Sequence, residues 1–171
     1  ELQRAASAWR AAQDGRQRER RIQVQRALAV AGPVLSRTIA SGGALSPDER
    51  DEARLAEGRL RDELRAPRLL DEAVREALDA ARSRGATVTV LDEGGLLGVS
   101  EEDLTTIRQE LAETVAASVS ERIYIRTSPD DRVAVTVVGR SGVEGLMSDE
   151  DSVDLWREIR HPGAEKAASG A

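Results

Sequence analysis

Apolar residues along this chain fall first at helical spacing and then at a mixture of helical and alternating spacing. From Glu1 to about Ala40, Leu2, Ala5, Trp9 and Ala12 share one face, and Val24, Leu28, Ala31 and Leu35 continue at intervals of three and four. A continuous helix there is roughly 60 Å long, which calls for a partner along its apolar stripe. Gly32-Pro33 predicts a kink or hinge, because proline lacks a backbone donor and crowds the preceding turn. "SGGALSPDER" reads as a loop and a helix start, with Ser46 as N-cap, Pro47 in the first helical position and Glu49 closing a capping box. Ala53, Ala56, Leu60 and Leu64 then line one side of the next helix. A hairpin of two such helices cannot bury its stripe alone. A dimeric four-helix bundle is therefore expected, with Val24, Leu28, Ala31, Leu35, Ala56, Leu60 and Leu64 in the interface and Gly32 and Pro33 as its hinge.

Beyond Pro67 the pattern changes. Leu70, Val74, Ala77, Leu78 and Ala81 mark a third helix that stops at Gly85, and "ATVTVL" reads as a strand ending at the turn "DEGG". Ser100 opens a helix with Leu104, Ile107, Leu111 and Val115 inward. "RIYIRT" and "RVAVTVV" alternate with period two across Ser128-Pro129-Asp130-Asp131, a hairpin signal. "SDEDSVDLWREI" reads as a short acidic helix with Leu155 and Trp156 packing back. The predicted fold class is α+β. Residues 1–66 form a helical connector and dimerisation hairpin, 67–160 a small α/β domain and 161–171 a disordered tail.

Composition narrows the chemistry. The 171 residues carry a formal net charge of −6, with 33 % charged residues, no cysteine, one histidine, and only Trp 2, Tyr 1 and no Phe among the aromatics. Without cysteine there is no disulfide framework, thiol nucleophile or zinc-thiolate site, and the lone His161 does not make a metal centre. The scarcity of rings and the acidic balance argue against nucleic-acid binding. No run of apolar residues is long enough to cross a bilayer, and no leader opens the chain, so the segment itself is expected in the cytoplasm. The run "GRQRERR", with Arg16, Arg18, Arg20 and Arg21, reads as a solvated helix face or as a juxtamembrane segment drawn to anionic headgroups. Together with the helical start at Glu1, the second reading makes this the cytosolic part of a membrane-anchored protein.

The numerous carboxylates have plain explanations. Glu101, Glu102 and Asp103 suit the first turn of a helix, Asp130 and Asp131 form turns, and Asp149, Glu150, Asp151 and Asp154 lack the spacing of a calcium loop. "DEGGLLG" and "GRSGVEG" carry glycines of the kind that cradle phosphate, yet neither matches the P-loop or dinucleotide fingerprint.

The order of these segments resembles the sensor histidine kinases of bacterial two-component systems over most of residues 20–142. "RALAVAGPVLSRTIASGG" and "DEARLAEGRLRDELRAP" look like the two dimerisation helices, and "RLLDEAVREALDAARSRGATVTVL" like the start of the ATPase domain. "IRQELAETVAASV" is similar to the helix that carries the family's asparagine box, and "RVAVTVVGRSG" to the strand entering its first glycine box. The resemblance implies a small α/β sandwich after the hairpin. It also implies functional positions that this chain does not fill. The phosphoacceptor histidine falls near Ala29, the magnesium-binding asparagine near Thr114, a following histidine near Ser118, and the adenine-reading aspartate just before Gly142, where Gly139, Arg140 and Ser141 stand. Any residual nucleotide contact would fall to Thr114, Gly139, Gly142 and Gly145. The second glycine box and the ATP lid have no counterpart.

The reading that follows is a non-catalytic, histidine-kinase-like module, with no catalytic residue, metal or cofactor. It is expected to homodimerise and to pass a conformational signal to a protein partner. An ATP-binding kinase acting in trans on a partner, and a structural coiled-coil connector, are the alternatives.

Overall fold

The computed structural model describes residues 18, 21–22, 24–26, 28–142 and 153–162. The predicted positions Leu2, Ala5, Trp9, Ala12, Arg16, Arg20, Gly145, Asp149, Glu150 and Asp151 lie outside them. The chain divides into two compact units, Glu1–Leu64 and Arg65–Ala171.

In the first unit, residues 28–40 form helix α1, and the described residues before it are also helical. The helix runs through Gly32 and Pro33. It ends where Gly42 and Gly43 take the positive φ values 62 and 87°, which the missing Cβ makes cheap. Helix α2 is Pro47–Arg65. Its start is the predicted capping box. The Ser46 N–H donates to Glu49 Oε2 at 2.8 Å, and the Glu49 N–H donates to Ser46 Oγ at 3.2 Å. The Ser46 N–H foremost, and the Ser46 hydroxyl after it, hold the Glu49 carboxyl below its ordinary range. Arg37 of α1 makes a two-pronged contact with Glu52 of α2, both distances 2.6 Å. That pairing raises the Arg37 guanidinium further. It sets the helices side by side next to the loop.

The second unit is an α+β layer pair. A short 3-10 turn, Pro67–Leu69, leads into α3 (Glu72–Ser83), β1 (Thr87–Leu91), α4 (Glu101–Ala117), β2 (Arg122–Thr127), β3 (Val133–Arg140) and β4 (Val153–Arg160). Asp71 caps α3 through the Val74 N–H, and Ser100 caps α4 through the Asp103 N–H. The sheet is mixed, in the order β1-β2-β3-β4. β1 and β2 are parallel, joined through α4, and the other two pairs are antiparallel. Asp130 accepts from the Arg132 and Val133 N–H groups and shapes the β2–β3 turn.

Helices α3 and α4 pack together and against the sheet. The core lies between these layers. Leu104, Ile107, Leu111 and Val115 of α4 are fully buried against Val74, Leu78 and Ala81 of α3 and against Val90, Ile123, Ile125, Val137 and Ile159 of the strands. Leu96, in the glycine-rich loop after β1, is buried as well and anchors that loop.

The acidic helix expected over "SDEDSVDLWREI" is corrected: its described part, Val153–Arg160, is strand β4. Val153, Leu155 and Ile159 alternate, and Leu155 and Ile159 pair with Gly139 and Val135 on the core side. Trp156 falls between them and points away from the helices, at 64 % exposure, so it does not pack back onto the domain. The sheet's order continues to His161, whose N–H donates to the Arg132 carbonyl at 2.9 Å.

Candidate functional site

The glycine-bearing stretches are the first places to seek a ligand. A phosphate cradle needs backbone N–H groups that converge on the anion. In the loop after β1, the Gly94 N–H donates instead to Asp92 Oδ1 at 2.9 Å, and the Glu93 N–H to Thr127 Oγ1 at 2.9 Å. The hydroxyl of the buried Thr127 donates in turn to Asp92 Oδ1 at 2.6 Å. A cleft of about 450 Å³ beside this loop is lined by Asp103, Asp130, Asp131 and His161 among others. Three carboxylates facing it repel a phosphate.

The second stretch shows the same arrangement. Gly142, at φ 122°, is exposed and directs its N–H to Glu121 Oε2 at 3.2 Å. Gly139 is buried in β3, and a Cβ there would stand 2.1 Å from Ser120 Oγ and 2.8 Å from Leu155 Cβ. Its missing side chain makes room for Ser120, not for a ligand. Thr114 is half-buried on α4 and donates its hydroxyl to the Glu110 carbonyl at 2.7 Å. The structure thus gives Thr114, Gly139 and Gly142 separate tasks within the chain. Gly145 lies outside the described residues.

Sequence reading missed a polar cluster at the end of the sheet. Ser120 Oγ donates to Asp154 Oδ1 at 2.5 Å, Ser141 Oγ donates to the other carboxylate oxygen, and Ser118 Oγ donates to Ser120 Oγ at 3.1 Å. Burial works to raise the Asp154 carboxyl, but the two serine bonds outweigh it and hold the group below its ordinary range. The only prior signal was the spacing of small hydroxyl residues in "SVSER" and "GRSG" around strand ends, which also fits ordinary turns. Beside the cluster lies an open cleft of about 880 Å³, lined by Arg84, Thr87, Ser120, Glu121, Arg122 and Gly142 among others.

Serine and aspartate together suggest nucleophilic chemistry, and the geometry excludes the triad form of it. A serine needs a base within hydrogen-bond reach. Asp154, held ionised by its donors, is a weak base. The lone histidine bonds near Arg132 at one end of β3, whereas Ser141 follows Arg140 at the other. An eight-residue strand separates them by roughly 25 Å. The cluster ties strand ends together. Among the described residues, no group of three or more His, Cys, Asp or Glu side chains is placed to hold a metal ion.

In the helical unit, Val24, Leu28, Leu35 and Leu64 are exposed, Leu28 at 61 %, together with Ile22 and Ile39. Ala31 and Leu60 are half-buried, and Ala56 is buried. Arg18 and Arg21, the described arginines of the basic run, are exposed. No helix among the described residues is long and apolar enough to cross a membrane.

No protein-family model, curated protein or solved structure matches this chain.

Proposed function

We propose that the chain is a non-catalytic signalling module organised like a histidine kinase. It dimerises through α1 and α2 and passes a conformational change to a protein partner. The observation that carries this reading is the fate of the backbone donors in the two glycine-bearing stretches. Gly94 and Gly142 offer their N–H groups to Asp92 and Glu121 of the chain itself. Nucleotide phosphates would have to displace carboxylates from the positions they need, against like-charge repulsion. Thr114, where the resemblance sets a magnesium-binding asparagine, has its hydroxyl turned back onto its own helix.

The exposed aliphatic stripe of α1 supports the dimer. Leu28, Leu35 and Ile39 leave large apolar surface in water, and each such side chain gains about 1.5–3 kcal/mol on full burial. Gly32 and Pro33 within α1 are where a bend or rotation would be absorbed. Anchoring to a membrane on the N-terminal side belongs to the same proposal, motivated by the arginine run.

Titration of the chain with a fluorescent ATP analogue and magnesium is the direct test. No saturable binding is expected, and stoichiometric binding would overturn the non-catalytic reading in favour of a kinase acting in trans. Light scattering at tens of micromolar should give a dimer mass that Leu28→Asp/Leu35→Asp reduces to the monomer. A monomer before substitution would refute the helical dimer.

A further inference from the structure

The sheet has two faces, and only one is covered by α3 and α4. Cross-strand register identifies what stands on the other. One row is Thr89, Tyr124, Val138 and Trp156, and the next is Leu91, Arg126, Thr136 and Glu158. Tyr124 is 44 % exposed and Trp156 64 %. The whole chain has Trp 2, Tyr 1 and no Phe, so most of its aromatic surface stands on a solvent-facing sheet. Tyr, Trp and Arg are the residues that dominate binding energy at protein interfaces.

The arrangement of charge and rings narrows the occupant. Tyr124 and Arg126 lie on β2, Trp156 and Glu158 on β4, with Val138 and Thr136 of β3 between them. Consider a two-fold axis parallel to β3, lying between two facing sheets. It sends β2 of one copy over β4 of the other at the same height. Tyr124 then opposes Trp156 of the second copy, and Arg126 opposes its Glu158, each contact occurring twice. Val138 and Thr136 meet their own counterparts. This is the signature of an isologous interface, in which residue i meets j and j meets i. Glu158 is exposed and has no cation partner among the described residues. Arg126 keeps a 2.5 Å ion pair with Glu93, which follows β1, while its side chain stays 62 % exposed.

We propose that the open face of the sheet is a contact surface for a second copy of this chain, centred on Val138. The inference is independent of helical pairing, since it uses a different unit and different residues. Facing sheets cross at about 30°, so contact is closest at mid-strand and opens towards the strand ends, where the β3–β4 register is irregular at Val133/Val135 and at Gly139/Arg140. Three strands spaced about 4.8 Å apart make a small patch. Stable complexes bury roughly 800 Å² per partner. The contact is therefore weak, and proximity is a better readout than mass.

The absence of cysteine from the sequence provides the test. A single thiol is introduced into the full chain as Val138→Cys, on the axis, or as Thr105→Cys on the exposed side of α4, and each is treated with a short bis-maleimide linker. The Val138→Cys chain should yield covalent dimer about tenfold above Thr105→Cys, and adding Trp156→Ala should reduce it several-fold. Arg126→Glu should also reduce it, and Arg126→Glu/Glu158→Arg should restore it, because the swap rebuilds the pair across the axis. Cross-linking that survives Leu28→Asp/Leu35→Asp supports a contact independent of the helices. Yields equal to Thr105→Cys, whatever the helices do, overturn the proposal. So does a thiol that labels readily with a single maleimide but never bridges two copies, which would leave the face to a different partner.

Discussion

The helical unit and the α/β unit use similar aliphatic residues to opposite effect. In α4, Leu104, Ile107, Leu111 and Val115 are all fully buried, because two helices and a sheet close around them. In α1, Leu28, Leu35 and Ile39 recur at the same helical spacing and remain exposed, Ile39 at 79 %. The periodicity is alike. What differs is whether the chain itself supplies the opposing layer. The α/β unit completes its own core, and no member of that core precedes Ala66 among the described residues. A helical stripe in a sequence therefore marks an apolar face without saying whether the chain itself covers it.

Three substitutions sharpen this contrast. Leu111→Ala should cost about 2–5 kcal/mol in chemical denaturation, because the two layers around it cannot collapse into the gap. Leu35→Ala should leave the unfolding of the α/β unit unchanged and shift only the association measured by light scattering. Equal losses from both would erase the distinction. A smaller effect is expected at the strand end. Gly139→Ala drives a Cβ into Ser120 and Leu155, and should destabilise by about 1–3 kcal/mol. Ser120→Gly in the same chain should recover part of that loss.

The smallest effect concerns Asp154. Its carboxyl lies below the ordinary range in the folded chain. In acid the unfolded state therefore takes up a proton more readily than the native one, and stability rises with pH in that region. The contribution is present above the unfolded carboxylate value of about 3.9 and fades as pH falls through the lower native value. Asp154→Asn should flatten the acid limb of the stability curve and leave its slope near neutrality unchanged. An unaltered acid limb would remove Asp154 from the account.

Local signals predicted local structure well. The Ser46–Glu49 box, the Ser100 cap, the stop at Gly85 and the Asp130 turn all depend on neighbours within a few residues, and each lies where the sequence indicates it. The acids at 149–154 resemble a helix's first turn, whereas the strand identity of β4 depends on pairing with β3. The serine–aspartate cluster was invisible for a similar reason. Ser120, Ser141 and Asp154 are far apart in sequence and meet only because β2, β3 and β4 end together. Of the site residues, the resemblance to histidine kinases points to Thr114, Gly139 and Gly142, with Gly145 outside the described residues. It could not reveal that Glu110, Ser120 and Glu121 already occupy them.

Among the described residues, the order of strands leaves β1 and β4 as the outer rims of the sheet. An unpaired rim invites a foreign strand to add to it, the route by which many sheets aggregate or capture extended peptides. Here one rim is five residues long and the other carries Asp154, Arg157, Glu158 and Arg160 along its length. Shortness on one side and charge on the other discourage lateral growth. The sheet is thus guarded against being extended in its own plane, which leaves its breadth, not its rims, as the surface that the proposed contact uses.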